Sequence, residues 1–345
     1  MMKRLCLASA LLFAVPALHA ATPAGKKPAL EKKSITIAVG GKTLFYYLPL
    51  TLAEQLGYFK DEGLEVEVVD FPGGAKALQA LVGGSADFVS GAFEHTINMQ
   101  ARGQPVVGIA LQSRYAAIAL GLSKAKAASY KSPRDLKGMK VGVTAPGSST
   151  NFFVNALLAQ DGLKPDDVAI VGVGASSNAV AAMKKGEIDA ISNLDPVFTK
   201  LEREGDVVVV ADTRTAEGMK KYYGGDYAAS CVYATRPFLE KNPGTVQAVA
   251  NAMVRALHFA KTSSLEQILA VIPTDYYAGD KETYRAALAK SIEGYSPDGR
   301  FSLEGARNVL KVLKLFEPSV MGATIEVEKT FDNRFVDAAP KRPAK

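Results

Sequence analysis

Short runs of β-branched and apolar residues alternate along the chain with segments whose apolar residues recur at helical spacing. SITIAVG at residues 34–40 predicts a strand, and the leucines of residues 48–59 recur every four positions, which predicts a helix. Further strands are predicted for LEVEVVDF at 64–71, ADFVSG at 86–91 and PVVGIALQ at 105–112, with helices between them. This alternation predicts an α/β fold with mainly parallel sheets flanked by helices.

The same order of elements returns later in the chain. Residues 139–193 again predict strand, loop, helix, strand, helix and strand. Gly162-Leu163 repeats the Gly63-Leu64 pair, and the Gly-x-x-Asp ending of residues 84–87 returns at 186–189. Two similar units so far apart predict two lobes of one construction rather than a short-period solenoid.

The chain then predicts a strand near residue 230 and a long helix, which needs a sheet to pack against and so returns to the first lobe. Two crossovers, near 112–121 and near 226–234, are expected to form a hinge. The predicted boundaries are a signal peptide at 1–20, a flexible lead-in at 21–33, lobe 1 at 34–116 and 231–335, lobe 2 at 117–230, and a disordered tail at 336–345.

The N-terminus has the pattern of a secretory signal peptide. A basic start, Met1–Arg4, precedes an apolar run too short to span a bilayer and the small-residue exit ALHAA, with cleavage expected after Ala20. Cys6 lies inside the apolar run and does not resemble a lipid-attachment site. The mature chain is therefore predicted to be exported and not lipid-anchored.

Composition narrows the chemistry. Only Cys231 follows the predicted signal peptide, so no intrachain disulfide is possible, and its apolar neighbours predict a buried strand thiol. His95 and His258 show no zinc-ligand spacing, so no metal is expected. The net charge of +6 is scattered, which indicates a solvated basic surface that attracts anions rather than a nucleic-acid interface.

The segment VGVTAPGSSTNFFVNALL at 141–158 predicts a strand, a small polar loop and a helix. Backbone N–H groups and the hydroxyls of Ser148, Ser149 and Thr150 could hold an oxyanion at the positive end of the helix dipole. The alternative is that Ser149 or Thr150 only caps its own helix. The loop lacks the Gly-Lys-Ser/Thr ending of a nucleotide site.

The chain resembles the periplasmic solute-binding proteins of ABC importers, in the nitrate, taurine and aliphatic sulfonate group. The resemblance runs from about residue 35 to residue 260 and rests on YYLPLTLAEQLGYFKDEGLEVEVVDFPGGAKALQALVGGSADFVSG, SPRDLKGMKVGVTAPGSSTNFFVNALLAQDGL, MKKGEIDAISNLDPVF and RPFLEKNP. It implies a two-lobed, type II-like fold, a periplasmic monomer without catalytic residues or cofactor, and a membrane permease as partner.

The resemblance also implies which stretches line the cleft between the lobes: Thr43 to Tyr47, Gly91 to His95, Gly147 to Thr150, and Asn193 to Asp195. The candidate ligand-binding residues are Phe45, Tyr46, Ala92, Phe93, Glu94, Gly147, Ser148, Ser149, Thr150, Asn193, Asp195, Tyr227 and Ser230.

Three polar candidates have both a functional and a structural interpretation. Glu94 either accepts a hydrogen bond from an amine, hydroxyl or ring N–H of the ligand, or is only stabilised by the helix dipole. It replaces small residues of simpler family members, which argues against plain nitrate or an alkyl sulfonate. His95 is expected on the helix surface or behind the ligand. Asp195 either contacts ligand or caps the helix that follows Pro196.

The sequence therefore predicts a binding protein for a small organic anion, a sulfonate or carboxylate that could be aromatic or amine-bearing. The alternatives are a pyrimidine-like or other heterocyclic ligand, or a periplasmic sensor of the same fold. A serine hydrolase is disfavoured because no Gly-x-Ser-x-Gly elbow is present. An enzyme similar to the thiamine-pyrimidine synthases is disfavoured because their cysteine-rich metal-binding stretch is absent.

Overall fold

The computed structural model describes residues 29–277 and 279–340, and the strands in that part of the chain form two five-stranded sheets. The predicted signal peptide with Cys6, and residues 21–28 of the predicted lead-in, lie outside the described residues. The strands are β1 (Ser34–Val39), β2 (Glu65–Asp70), β3 (Phe88–Ala92), β4 (Val106–Leu111), β5 (Ile118–Ser123), β6 (Lys140–Val143), β7 (Ala169–Gly172), β8 (Ala190–Leu194), β9 (Val207–Asp212) and β10 (Ser230–Thr235).

Each sheet is mixed, with one strand running against the other four. The first sheet has the order β2-β1-β3-β10-β4, and the second has the order β7-β6-β8-β5-β9. Pairs among β1, β2 and β3 and among β6, β7 and β8 are parallel, whereas β10 and β5 are antiparallel to both of their neighbours. Both antiparallel strands are the first to follow a crossover from the other sheet. A chain that arrives across the cleft enters at the carboxyl edge, so its strand runs in the opposite direction.

The two crossovers lie side by side. After β4 the chain passes to the second sheet through residues 112–117, and it returns through residues 224–229 after the helix that follows β9. The Gln112 N–H donates to the Ser230 carbonyl at 2.7 Å, and the Ala229 N–H donates to the Ser113 carbonyl at 3.1 Å. The predicted pair of crossovers is therefore present as one hydrogen-bonded connection, and its action as a hinge stays a prediction.

Helices cover the faces of both sheets. They are α1 (Leu48–Gln55), α2 (Tyr58–Asp61), α3 (Gly74–Val82), α4 (Glu94–Ala101), α5 (Lys124–Ala127), α6 (Ser149–Gln160), α7 (Ser177–Lys184), α8 (Val197–Arg203), α9 (Ala216–Tyr223), α10 (Arg236–Lys241), α11 (Pro243–Thr262), α12 (Leu265–Val271), α13 (Lys281–Ser291), α14 (Leu303–Leu313), α15 (Pro318–Met321) and α16 (Arg334–Asp337).

The long helix α11 packs on the first sheet and on α1, as the return of the chain to the first lobe predicts. Its apolar side chains Val246, Val249, Met253 and Leu257 are fully buried. Apolar side chains at this spacing form one stripe, and burying them stabilises the helix by about 1.5–3 kcal/mol per large side chain. Within the described ranges, no helix is both long and apolar enough to span a membrane.

Both ends of the described chain are more ordered than the sequence predicts. In the predicted lead-in, the Glu31 carboxylate accepts the N–H groups of Gly244 and Thr245 at 3.1 and 2.9 Å, which satisfies the first turn of α11. In the predicted tail, Val336 belongs to α16, and both Val336 and Ala339 are buried. The polar composition of the tail conceals these two apolar contacts.

Cys231 lies in β10 between β3 and β4 and is completely buried. Burial raises the pKa of its thiol well above the usual value, with a smaller contribution from Glu94. The prediction of a buried, free strand thiol is confirmed.

Candidate functional site

The loops at the carboxyl ends of the parallel strands meet between the two sheets. The Phe45 N–H, after β1, donates to the Asp195 carbonyl, after β8, at 3.0 Å. The Ala75 N–H at the start of α3 donates to the Ser148 hydroxyl, after β6, at 3.0 Å. Ligands of open α/β sheets bind at this edge. The two lobes therefore close directly over the region where the sequence places the site.

Glu94 is the central polar residue of this region. It opens α4 and is 1% exposed. Its Oε1 accepts the Tyr227 hydroxyl at 3.1 Å, whereas Oε2 is buried and has no hydrogen-bond partner. Burial raises the pKa of Glu94 to about 7, and the hydrogen bonds from its own backbone N–H and from Tyr227 act in the opposite direction. A buried carboxylate oxygen without a partner marks a position where another group is expected to bind.

Four buried tyrosines interact electrostatically with this carboxylate: Tyr46 from the loop after β1, Tyr223 from α9, Tyr227 from the returning crossover and Tyr233 from β10. The Tyr223 and Tyr227 rings stack with centroids 4.3 Å apart and an interplanar angle of 14°. Burial, with a further contribution from Glu94, raises the pKa of all four phenols well above the usual value. Glu94 and these four residues are called the tyrosine chamber below.

Only part of the Gly147–Thr150 loop faces the tyrosine chamber. The Ser149 hydroxyl hydrogen bonds to Tyr46. Ser148 is the N-cap of α6 but makes no cap hydrogen bond with its side chain, because its hydroxyl accepts from Ala75 of the other lobe. Thr150 turns inward and accepts the Thr144 N–H at 3.1 Å. The Gly147 N–H donates to the Asn151 side chain at 2.9 Å. Of the three candidate hydroxyls, only that of Ser149 is therefore directed at the tyrosine chamber; those of Ser148 and Thr150 accept backbone N–H groups instead.

Asp195 acts as a cap and an ion-pair partner. Its Oδ1 accepts the Thr199 N–H of α8 at 2.8 Å, and its Oδ2 lies 3.4 Å from Nη1 of Arg214. Burial acts to lower the pKa of the Arg214 guanidinium. Its hydrogen bond to Asp212 and the charges of the nearby Asp195, Asp212 and Glu202 carboxylates outweigh this effect, so the pKa is raised. With both oxygens occupied inside lobe 2, the Asp195 side chain has the structural role, and only its carbonyl reaches lobe 1.

The remaining candidates divide between the site and the core. Asn193 donates to the Gly174 carbonyl at 3.2 Å and accepts the Leu194 N–H, so its amide is occupied. Phe93 packs on Phe301 and Phe331 in the core of lobe 1 rather than on the cleft. Phe45 lies at the contact between the lobes, where its N–H donates to the Asp195 carbonyl. Ala92 and Ser230 lie near Glu94 and face each other in register on β3 and β10, and the Ser230 hydroxyl is buried without a partner.

His95 connects the two lobes, a role that the sequence did not predict. It is buried, its Nδ1 lies 2.9 Å from the Tyr233 hydroxyl, and its Nε2 lies 3.3 Å from the Gly147 carbonyl. A carbonyl can only accept, so Nε2 carries the proton and Nδ1 accepts from the phenol. Burial lowers the pKa of His95 to about 4, so the imidazole is neutral near pH 7.

Sequence reasoning also missed Arg214, Tyr223 and Tyr233. Tyr223 lies just before the Gly224-Gly225 pair at a crossover, and Tyr233 is two residues from Cys231 on one face of β10, so both had a local signal. For Arg214 the only local signal was Asp212, two residues before it, because its other ion-pair partners, Asp195 and Glu202, are more distant in sequence. No group of three His, Cys, Asp or Glu side chains suited to a metal occurs within residues 29–277 and 279–340.

Comparisons with known proteins fit this geometry. The family described as "NMT1/THI5 like" matches residues 45–264. A solved structure from Bordetella bronchiseptica is 51% identical, with a TM-score of 0.87 over 90% of this chain and 97% of that one. The alkanesulfonate-binding protein SsuA from Xanthomonas axonopodis pv. citri, bound to MOPS, is 20% identical with a TM-score of 0.68, covering 88% of this chain and all of that one.

Curated relatives include fungal enzymes. The 4-amino-5-hydroxymethyl-2-methylpyrimidine phosphate synthase of Schizosaccharomyces pombe is 26% identical over 246 residues, which cover 69% of this chain and 67% of the synthase. The chain spans 46% of the length of a corresponding Saccharomyces cerevisiae synthase. The SsuA likeness identifies the two-lobed periplasmic binding protein fold. With the family match covering most of its length, the chain belongs to the NMT1/THI5-like family.

Proposed function

We propose that this protein is the substrate-binding component of an ABC importer, which encloses a small organic solute between its lobes and presents it to a membrane permease. The observation that carries the proposal is that two buried oxygens at the meeting edge of the two sheets, Glu94 Oε2 and Ser230 Oγ, have no hydrogen-bond partner. Buried polar atoms are nearly always hydrogen-bonded. A bound solute is the partner that would satisfy both.

The first turn of α6 supports an acidic group on that solute. This helix is twelve residues long and begins at Ser149, without a side-chain cap hydrogen bond from Ser148. The dipole of such a helix stabilises a negative charge by about 0.3–1 kcal/mol at an exposed site and more when partly buried. A sulfonate or carboxylate beside Ser149 would lie next to Tyr46 and thus at the edge of the tyrosine chamber.

A pyrimidine-like or other heterocyclic solute is the second candidate. It is favoured by the stacked Tyr223 and Tyr227 rings, which suit a flat aromatic body, and by Glu94 as an acceptor for a ring N–H or an exocyclic amine. The synthase names of the fungal relatives raise the same chemistry, and with it an enzyme acting on a pyrimidine.

A melting scan of refolded protein tests the proposal. The chain contains no tryptophan, so an added dye reports unfolding in the presence of sulfonates (MOPS among them), carboxylates, nitrate, amines and pyrimidines. A ligand at a hundred times its Kd should add about 2.7 kcal/mol to the free energy of unfolding. Absence of stabilisation by every class would overturn the proposal.

Mass spectrometry of the recovered compound separates binding from catalysis. A transported solute is released unchanged after incubation, whereas a synthase-type enzyme returns a converted product. The control for both measurements is Glu65→Gln, which changes an exposed carboxylate on β2 far from the chamber in sequence and leaves every group of the proposed site in place.

A further inference from the structure

Glu94 lacks a counter-ion. None of the ion pairs in the described part of the chain involves its carboxylate, and its one side-chain hydrogen bond comes from a neutral phenol. The nearest imidazole, His95, is neutral and points its two nitrogens at Tyr233 and Gly147. Natural proteins rarely bury a carboxylate unless a cation or several donors accompany it.

The neighbours of Glu94 are suited to a cation supplied from outside. The faces of tyrosine rings carry partial negative charge and attract ammonium and similar cations by about 0.5–2 kcal/mol each, most strongly when water is excluded. Tyr46, Tyr223, Tyr227 and Tyr233 are all at least 95% buried. A carboxylate with one free oxygen near buried tyrosines provides the charge of a cation site and surroundings from which water is excluded.

We propose that the solute carries a positively charged nitrogen, such as an ammonium, an amidinium or a protonated ring nitrogen, and that this nitrogen binds Glu94 Oε2 inside the tyrosine chamber. The inference rests on the proposed function and deepens it. An acidic group on the same solute would bind beside Ser149, next to Tyr46. The preferred solutes are therefore zwitterions or cations. Nitrate and simple alkyl sulfonates lack the nitrogen that the chamber requires.

Proton release accompanies such binding. The titratable groups that face Glu94 are the four tyrosines and Cys231, whose pKa values burial raises well above the usual range, so all five stay neutral near pH 7. Glu94, with a pKa of about 7, is half-protonated there, and a cation beside it lowers that pKa. Binding at pH 7 therefore releases up to about half a proton, and the affinity for a permanently charged amine falls by up to about tenfold per pH unit as the pH decreases below 7.

Pairs of compounds that differ only in an amine or a hydroxyl test the inference. The probes are 4-(aminomethyl)benzoate against 4-(hydroxymethyl)benzoate, 2-aminoethanesulfonate against 2-hydroxyethanesulfonate, and 5-(aminomethyl)pyrimidine against 5-(hydroxymethyl)pyrimidine. Calorimetry gives the Kd, and an indicator dye in nearly unbuffered solution at pH 7 gives the proton balance. We expect the amine of at least one pair to bind tenfold or more tightly than its hydroxyl partner, with release of protons.

Variants show whether Glu94 is responsible. Glu94→Gln should remove both the amine preference and the proton release, and Tyr227→Phe should keep the preference while changing the affinity. Glu65→Gln should match the parent protein in both readouts. Hydroxyl compounds that bind as tightly as amines, proton uptake on binding, or an unchanged Glu94→Gln variant would overturn the inference. If only nitrate, sulfonates or carboxylates without nitrogen bind, the inference fails and the proposed function stands; if nothing binds, both fail.

Discussion

A methyl group added at Gly73 should weaken solute binding by holding the two lobes apart. Gly73 precedes α3 in lobe 1, and a Cβ built on it would lie 2.8 Å from Ala145 Cβ and 3.0 Å from Ala145 N, in the loop after β6 of lobe 2. The φ angle of Gly73 is −172°, an extended conformation that any residue adopts. Gly73→Ala therefore strains the contact between the lobes and leaves the backbone of lobe 1 relaxed.

The size of the effect follows from the contact distance. Carbon atoms reach their best separation at about 3.5–4.0 Å, and overpacking by one methyl group costs about 1–3 kcal/mol in a close-packed contact. Neither Ala145 atom is the end of a flexible side chain, so the lobes themselves must separate. If closure and binding are coupled, the penalty appears in the binding free energy, and the Kd rises by roughly 5- to 150-fold.

Calorimetric titration with the compound that gives the largest melting shift measures this change. The matched control is Gly322→Ala at the end of α15, where an added Cβ meets nothing within 4 Å and φ is −96°. The ligand-free melting temperature of Gly73→Ala should stay near that of the parent protein. Unchanged affinity, or a loss of ligand-free stability as large as the loss of binding, would refute the coupling between lobe contact and binding.

Three further substitutions test separate parts of the site. Ser148→Ala removes the acceptor for the Ala75 N–H of the other lobe and should weaken binding by about 0.5–1.5 kcal/mol, read by calorimetry; equal Kd values would show that this bond adds nothing to closure. Arg214→Met leaves Asp195 buried without its cation and should cost about 3–5 kcal/mol in urea unfolding without altering ligand preference, and a loss below 1 kcal/mol would contradict the pairing. Burial raises the pKa of Glu94 from 4.5 to about 7, so the stabilisation from its protonated form is full below pH 4.5 and is lost as pH rises through 7. Between pH 5 and pH 8, the free energy of unfolding of Glu94→Gln should therefore rise by up to about 3 kcal/mol relative to that of the parent protein. Melting curves at several pH values measure this change, and a parallel pH dependence of the two proteins would refute the shift.

The elements of the fold could be predicted because their signals are local. Helical spacing and alternation are properties of ten or so neighbouring residues, and α11 shows the apolar face that its sequence predicts. The directions of β5 and β10 could not be predicted in this way, because they depend on the side from which the chain enters each sheet. The order of residues 336–340 in the predicted tail could not be predicted for a related reason: Val336 is buried beside Gly299, which is distant in sequence, and residues 341–345 lie outside the described residues.

The position of the candidate residues where the two sheets meet could be predicted, whereas the orientation of their side chains could not. Glu94 and Ser149 follow strands whose carboxyl ends meet, and that rule alone places them between the lobes. The rule does not say which way a side chain turns. Thr150 and Asp195 follow strands in the same manner, yet their side chains hydrogen bond inside lobe 2, because an N–H group or a guanidinium lies closer there than the cleft does.

Under the proposed function, the unpaired carboxylate of Glu94 would couple solute binding to closure of the lobes. Glu94 is buried at the edge where loops of the two lobes meet, and burial disfavours its charged form. Separating the lobes would return water to Oε2 and relieve that penalty, so without a solute the open form would be favoured above pH 7. A solute that brings a positive charge supplies the missing partner only when the lobes are closed, and a ligand shifts an equilibrium by its difference in affinity for the two forms. An uncharged solute of the same shape fills the space but leaves the penalty in place, so it closes the lobes less effectively. Selectivity and closure then have one physical origin, the desolvation of a single carboxylate.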